Sequence, residues 1–509
     1  MQKKQTILVV ASLLVVILSV TLAYFTAQII GKGKNVTINS ADLKIVFTDS
    51  DGSISGSNIE PGKWNVTKTF TIENKSNETY KYNIVIQDLV NTFVTNGYLQ
   101  YKITSTNGGY NMTEFKDVPK SETAKDTILA YSVSIPVVVT QSYTVEFKYS
   151  NDESVDQSED MGKTLSGKLF ITEGTEEPTL LSQILKDNPT RSTRSNNNNG
   201  TNDFATPLTT TTTGTLFTST ESITGITDSP KEVYYFAGNT TNNWVKFANL
   251  YWRIIRTNHD GSIRLLYVGT SHDTTSGNIG ESAFNTNSNS PKYVGYKYGE
   301  DTSLDTIRNN TTDSTIKTFI DSWYQNNLTN YTKYLSTSAV YCNDRSEGTG
   351  QTYSASSKFN FASYYRMDWD TDGAKANPSY NCTNIKDAFS VDNTSAKLDY
   401  PIALMTADEI AYAGGVAFQK MSTPYAWFIS NSTGSQVSSN WWSLSPIYWN
   451  GSYTLVWDWS SGLADLDFHT ATDALGVRPA ISLKFCIKYS TGNGTYNEPY
   501  EIKETSSGC

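Results

Sequence analysis

The stretch from Trp441 to Asp473 holds the densest set of groups suited to recognition or catalysis. It carries Trp441, Trp442, Tyr448, Trp449, Tyr453, Trp457 and Trp459, interleaved with Asn450, Asp458, Asp465, Asp467, His469 and Asp473. Rings supply rigid contact area, while carboxylates and amides supply direction, so the mixture suits a sugar or a peptide ligand. Read as a strand, 463–469 turns Ala464, Leu466 and Phe468 inward and sets Asp465, Asp467 and His469 on one outer face. The expected ligand-binding set is Trp449, Asn450, Asp458, Asp465, Asp467 and His469. The competing reading puts the tryptophans in the core and leaves the acidic residues as a plain solvated strand face.

Other chemistry is thin. Of the histidines, His259 falls in a turn and reads as solvated, and neither it nor His272 has a metal-ligand spacing. There is no Gly-x-Ser-x-Gly elbow, no P-loop and no dinucleotide fingerprint, so no catalytic residue is assigned. A hydrolase built on two carboxylates stays open, since the chain has 50 acidic residues to draw on. Asp49-x-Asp51-Gly52 and Asp370-x-Asp372-Gly373 open like calcium loops but lack the later acids and the closing glutamate. Ordinary Asp-rich turns are therefore the expected reading and no cofactor is expected, with calcium as the alternative. Cys342, Cys382, Cys486 and Cys509 form no CxxC, which excludes the common zinc motifs. Of three possible pairings, Cys342–Cys382 and Cys486–Cys509 each close a local loop and are expected, with four thiols as the alternative.

These groups need a scaffold, and composition points to a β-rich one. Of 509 residues, 18% are charged and 12% aromatic. Low charge with abundant aromatics describes a folded, polar-surfaced chain rather than a disordered one. The net charge of −10 and the absence of a long basic block argue against nucleic-acid binding. From 36 to 172, alternation such as Tyr143, Val145, Phe147 and Tyr149 against Thr144, Glu146 and Lys148 predicts a β-sandwich. Residues 173–215, with runs at 196–199 and 209–213 and a brief helical patch (Leu180, Leu181, Ile184, Leu185), read as a polar linker. A second domain is expected over 216–486, followed by a tail over 487–509. In it, 251–256 and 263–267 predict a hairpin around Asn258-His259-Asp260-Gly261. Pro401–Leu404 predicts a buried strand, followed by a helix with a Thr406/Glu409 capping box that ends at Gly414-Gly415.

Residues 1–30 read as a signal peptide or membrane anchor. Lys3 and Lys4 precede an apolar run from Ile7 to Leu22, and Thr21-Leu22-Ala23 offers a cut between Ala23 and Tyr24. The run is close to the length of a spanning helix, so a retained anchor is the alternative. Either way the chain is expected outside the cell or at its surface, with the membrane as a partner through this segment.

Two resemblances follow. Thr21-Leu22-Ala23-Tyr24-Phe25-Thr26-Ala27, Ile59-Glu60-Pro61-Gly62 and Phe70-Thr71-Ile72-Glu73-Asn74 resemble the TasA/camelysin-like bacterial surface proteins, over about a third of the chain. That resemblance implies export, a jelly-roll-like sandwich and the ability to form fibres. Trp252–Arg256, Tyr341–Arg345, Ala403–Glu409, Trp441–Pro446 and Gly476–Ala480 resemble bacterial surface domains with a C-type-lectin-like fold, related in shape to formylglycine-generating enzymes. The closely placed cysteine pair of those enzymes has no match here, so their activity is not carried over. The expected fold is mainly β with short helices: an N-terminal sandwich plus a C-terminal α+β C-type-lectin-like domain. The expected function is a surface protein presenting a binding head for a glycan or protein, not an enzyme. A self-assembling fibre subunit and a carboxylate-dependent hydrolase are the alternatives.

Overall fold

The computed structural model describes residues 35–40, 43–49, 54–55, 59–194, 203–272, 277–367, 376–421, 439–461 and 464–509. The expected export segment, the Ala23/Tyr24 cut, the asparagine run at 196–199 and both aspartate-glycine turns at 51–52 and 370–373 lie outside them. The protein is mainly β with short helices. The chain divides into two compact units, Met1–Glu177 and Pro178–Cys509. Among the described residues no helix is long and apolar enough to cross a membrane.

The first unit is a two-sheet sandwich. Its strands are β1 (Asn35–Ser40), β2 (Leu43–Asp49), β3 (Ile54–Ser55), β4 (Trp64–Asn74), β5 (Tyr80–Asn91), β6 (Leu99–Ser105), β7 (Lys116–Asp117), β8 (Ser121–Ile135), β9 (Thr140–Tyr149) and β10 (Leu165–Glu173). One sheet runs β1-β2-β4-β9-β6-β7 and the other β3-β10-β5-β8. Tyr143, Val145, Phe147 and Tyr149 are buried, and Thr144, Glu146 and Lys148 are not, as the alternation predicts. They share one core with Ile84 and Ile86 of β5 and Leu169 and Ile171 of β10, so the two inner faces pack on each other.

The second unit begins earlier than its sequence suggests. Residues 178–194 and 203–215 are not a spacer. Helix α1 (Leu180–Asp187) is capped by Thr179 and buries Leu180 and Ile184. Strand β11 (Thr190–Ser192) pairs in parallel with β12 (Thr215–Glu221). Arg194 donates to the carbonyls of Ala411 and Tyr412 at 3.0 and 2.8 Å, and its guanidinium lies over the Phe204 ring. Polar composition hides this because the stretch is anchored by a few apolar residues and one arginine.

The unit continues with β13 (Lys231–Tyr235), β14 (Trp244–Phe247), β15 (Leu250–Thr257), β16 (Ile263–Gly269), β17 (Glu281–Ala283), α2 (Thr315–Asn327), β18 (Phe359–Asn360), β19 (Ile402–Leu404) and α3 (Ala407–Ala413). It ends with β20 (Trp441–Trp449), β21 (Thr454–Ser460), β22 (Asp465–Thr470), β23 (Ala474–Gly476), β24 (Pro479–Leu483), β25 (Tyr489–Thr491) and β26 (Tyr500–Ile502). The expected hairpin is β15–β16, closed by Asn258 and Ser262 with Gly261 at φ +76°. The expected capping box of α3 is formed, and Gly414 ends the helix at φ +123°.

The predicted tail is also part of the fold. Tyr500 is fully buried, and β26 pairs in parallel with β14 and antiparallel with β25, extending the large sheet. A parallel edge between distant segments has no local sequence signal. Both expected disulfides are present, Cys342–Cys382 and Cys486–Cys509. A smaller sheet in the order β17-β23-β20-β21-β22, with β18 on β20, carries the acidic residues.

Candidate functional site

Strands β21 and β22 form an antiparallel hairpin whose register sets the site. Val456 faces His469, Asp458 faces Asp467 and Ser460 faces Asp465. Directly opposed residues share a face, so Asp458, Asp465, Asp467 and His469 come together on one side. Leu455, Trp457 and Trp459 occupy the other, opposite Thr470, Phe468 and Leu466. Trp457, Trp459 and Leu466 are fully buried there. The hydrophobic face thus anchors the hairpin and fixes the register; a slip of one residue would reverse both faces.

The acidic face is not the solvated surface its composition suggests. Asp458 is fully buried and Asp465 is 4% exposed; Asp467 and His469 are half-buried. His469 Nδ1 lies 2.8 Å from Asp458 Oδ1. Asp458 Oδ2 and Asp465 Oδ1 are buried and make no hydrogen bond among the described residues. Burial pushes the Asp458 carboxyl up to about 6, against the opposing pull of His469. Burial, with Asp467 and Asp458 nearby, pushes Asp465 up to about 7. The hydrogen bond to Asp458 raises His469 above its ordinary value. Ala464, at the turn into β22, sits at φ +56°, a strained setting for a residue with a Cβ.

Two members of the expected set stand apart. Trp449 is 2% exposed and pairs with Phe359 of β18, so it is core. Asn450 spends its side-chain oxygen on the turn, accepting from the backbone of Ser452 and Tyr453 at 2.8 Å each. Trp441, Trp442, Trp457 and Trp459 are core as well. The aromatics that leave part of their surface open are Tyr448, Tyr453 and Phe468.

A second polar centre has no counterpart among the sequence-based expectations. Glu409 accepts from Arg256 at 2.8 Å and Arg264 at 2.5 Å, while its other oxygen caps the Thr406 N–H. Arg256 also meets Glu221 at 2.8 Å. His259 is not solvated: its side chain is 8% exposed and its Nδ1 is 3.4 Å from Glu221. Arg366 binds Asp408 and Asp344 around the same small cavity. Desolvation acts against the ionised form of Glu221, but Arg256 and His259 outweigh it and hold its carboxyl down at about 2. Each carboxylate meets at least one guanidinium, which describes an internal brace, although Arg264 Nε and His259 Nδ1 are buried without a hydrogen bond among the described residues. The capping box is the one visible signal that Glu409 would be positioned.

No family model matches the chain, and no curated protein matches it.

Proposed function

We propose that this is an exported bacterial surface protein whose second unit is a lectin-like head that binds a ligand for adhesion or recognition. The observation that carries the reading is the face of Asp458, Asp465, Asp467 and His469, with two buried carboxylate oxygens that have no hydrogen-bond partner among the described residues. A native fold that keeps such oxygens gives up stability at that point, and functional sites are where such costs are retained. Disulfides in both local loops fit an oxidising, extracellular setting. The likeness of the head to C-type-lectin-like surface domains, and of the sandwich to TasA/camelysin-like proteins, supports the same reading.

A glycan and peptide array with residues 178–509 tests it. The variant Asp465→Ala/Asp467→Ala/His469→Ala is expected to lose the ligands that the unmodified head retains. Equal binding by both removes this face from the reading.

One observation favours a second reading, a fibre subunit. Strand β8 is fifteen residues long and pairs only with β5 among the described strands, leaving one edge open. Electron microscopy of residues 24–177 separates the two. Filaments favour assembly through the sandwich, and persistent monomers count against it.

A further inference from the structure

Asp467 lies close enough to raise the proton affinity of Asp458, and Asp467 and Asp458 together raise that of Asp465, on top of burial. The ionisable groups facing them are His469 and Asp473 from β22 and its following turn, and Lys420 beyond α3. Asp458 has one oxygen on His469 and the other without a donor, although the side chain is fully buried. Asp465, only 4% exposed, likewise has an oxygen without a donor. Leaving a buried acceptor unmet costs roughly 1–3 kcal/mol, and more when it is charged. Two such oxygens on one face have no hydrogen-bond donor among the described residues.

The protein contains a contrasting case. Asp313, Asp321 and Asp399 close around the Lys317 ammonium, at 3.0, 2.5 and 2.6 Å. Their oxygens lie within 4.8 Å of one another, and they are the one such trio among the described residues. That trio is complete, because its cation is the lysine they surround. The oxygens of Asp458, Asp465 and Asp467 are not gathered within that span, which disfavours a single bare ion. A wider set of acceptors suits a donor with several N–H directions.

We propose that this face holds an organic cation, the ammonium or guanidinium of the bound ligand, through Asp458 Oδ2, Asp465 Oδ1 and the Asp467 carboxylate. This rests on the head being a ligand-binding unit. Asp467 and His469 are half-buried, so their end of the face is partly open to solvent. Near neutrality and without ligand, Asp465 and Asp458 share in holding protons on this face. An arriving cation favours the ionised form, so each carboxylic O–H that breaks sends its proton to buffer while an N–H···O contact forms. The ligand keeps its own charge.

Titration calorimetry of the full chain provides the test. The probes are lysine amide, arginine amide and glucosamine, each beside its neutral partner: Nε-acetyl-lysine amide, citrulline amide and N-acetylglucosamine. Two buffers of different ionisation enthalpy report the protons. At least one cationic probe is expected to bind about ten times more tightly than its neutral partner. Proton release is expected at about pH 6–7 and should fade by about pH 9. Asp465→Asn and Asp467→Asn should each weaken binding at least about tenfold, with cooperative unfolding retained. Equal binding of charged and neutral probes, no binding of any cation, or proton release on adding calcium alone would overturn the proposal. An array that loses its ligands in the triple variant, alongside indifference to probe charge, would overturn only the cation and keep the binding head.

Discussion

Asp458 and Asp467 stand directly opposite each other across β21 and β22, a like-charged pair at the centre of a buried hairpin. Like charges in that position destabilise a sheet. His469, two residues beyond Asp467, offsets part of this by donating to or sharing a proton with Asp458 at 2.8 Å. The remaining strain is electrostatic and depends on protonation.

Stability of the second unit should therefore peak near pH 5. Asp458 and Asp465 have folded pKa values raised to about 6 and about 7. The native state keeps protons that the unfolded chain gives up, so their contribution is fully present at low pH and is lost as pH rises through those values. For Asp458 the loss is about 3 kcal/mol, since each tenfold gain in proton affinity is worth about 1.4 kcal/mol. His469 is raised too, and its contribution fades in the same direction. Glu221, Glu409 and Asp344 are lowered, so theirs is lost as pH falls below the ordinary carboxylate range. Thermal unfolding from pH 4 to 9 checks this, and a Tm that climbs steadily to pH 8 would contradict it.

The His469 titration should report its partner. The hydrogen bond to Asp458 is the largest cause of its raised pKa. In Asp458→Asn the imidazole faces an amide instead of a carboxyl group, and its pKa should fall back toward or below 6.5. Nuclear magnetic resonance of the imidazole across pH 5–9 measures the change. An unchanged midpoint would mean that the pair does not form in solution.

Much of the scaffold is legible because it follows period-two alternation, as in β9, or local chemistry, as in the Thr406/Glu409 box. The two disulfides are legible because each closes a short loop. The face holding Asp465, Asp467 and His469 is legible as a pattern, but its burial is not. The neighbours of Asp458 do hold a clue: Leu455-Val456-Trp457-Asp458-Trp459 is apolar on both sides, the mark of a strand covered on both faces. Trp449 resembles a ligand residue in the sequence because its packing partner Phe359 lies far earlier in the chain. The 173–215 stretch resembles a spacer because Arg194 finds its acceptors at Ala411 and Tyr412, a tertiary match that composition does not encode.

Glu409 should be among the costliest single positions in the second unit. Its removal in Glu409→Ala takes the carboxylate from the Arg264 guanidinium and leaves Arg256 with Glu221 alone, both arginines being nearly fully buried. Breaking one partner out of a buried ion pair costs about 3–5 kcal/mol. Thr406→Ala, which removes only the cap, should cost about 1 kcal/mol. Urea unfolding of both variants gives the comparison. Equal losses would show that Glu409 acts only through the capping box.

The disulfides should stabilise by loop closure. The Cys342–Cys382 bridge spans 40 residues and the Cys486–Cys509 bridge 23. The chain entropy removed from the unfolded state is worth about 4 and about 3 kcal/mol respectively. Non-reducing peptide mapping should recover both pairs, and paired Cys→Ala variants should lower the urea midpoint in that order. Scrambled or reduced cysteines would remove the basis for the proposed oxidising setting.

Asp465→Asn separates a binding role from a structural one. Removing a buried charge that has one oxygen without a hydrogen bond among the described residues should raise stability at pH 8 by about 1–3 kcal/mol, within the range for buried polar and charged groups. At pH 5, where the native carboxyl is already protonated, the same change should be close to neutral. A structural aspartate such as Asp387, which binds Arg308 and Arg345, should lose stability at both pH values when changed to asparagine. Thermal unfolding of the two variants at pH 5 and 8 makes the contrast. If Asp465→Asn is destabilised like Asp387→Asn, the Asp465 carboxylate has a partner inside the fold and is not held in reserve for a ligand.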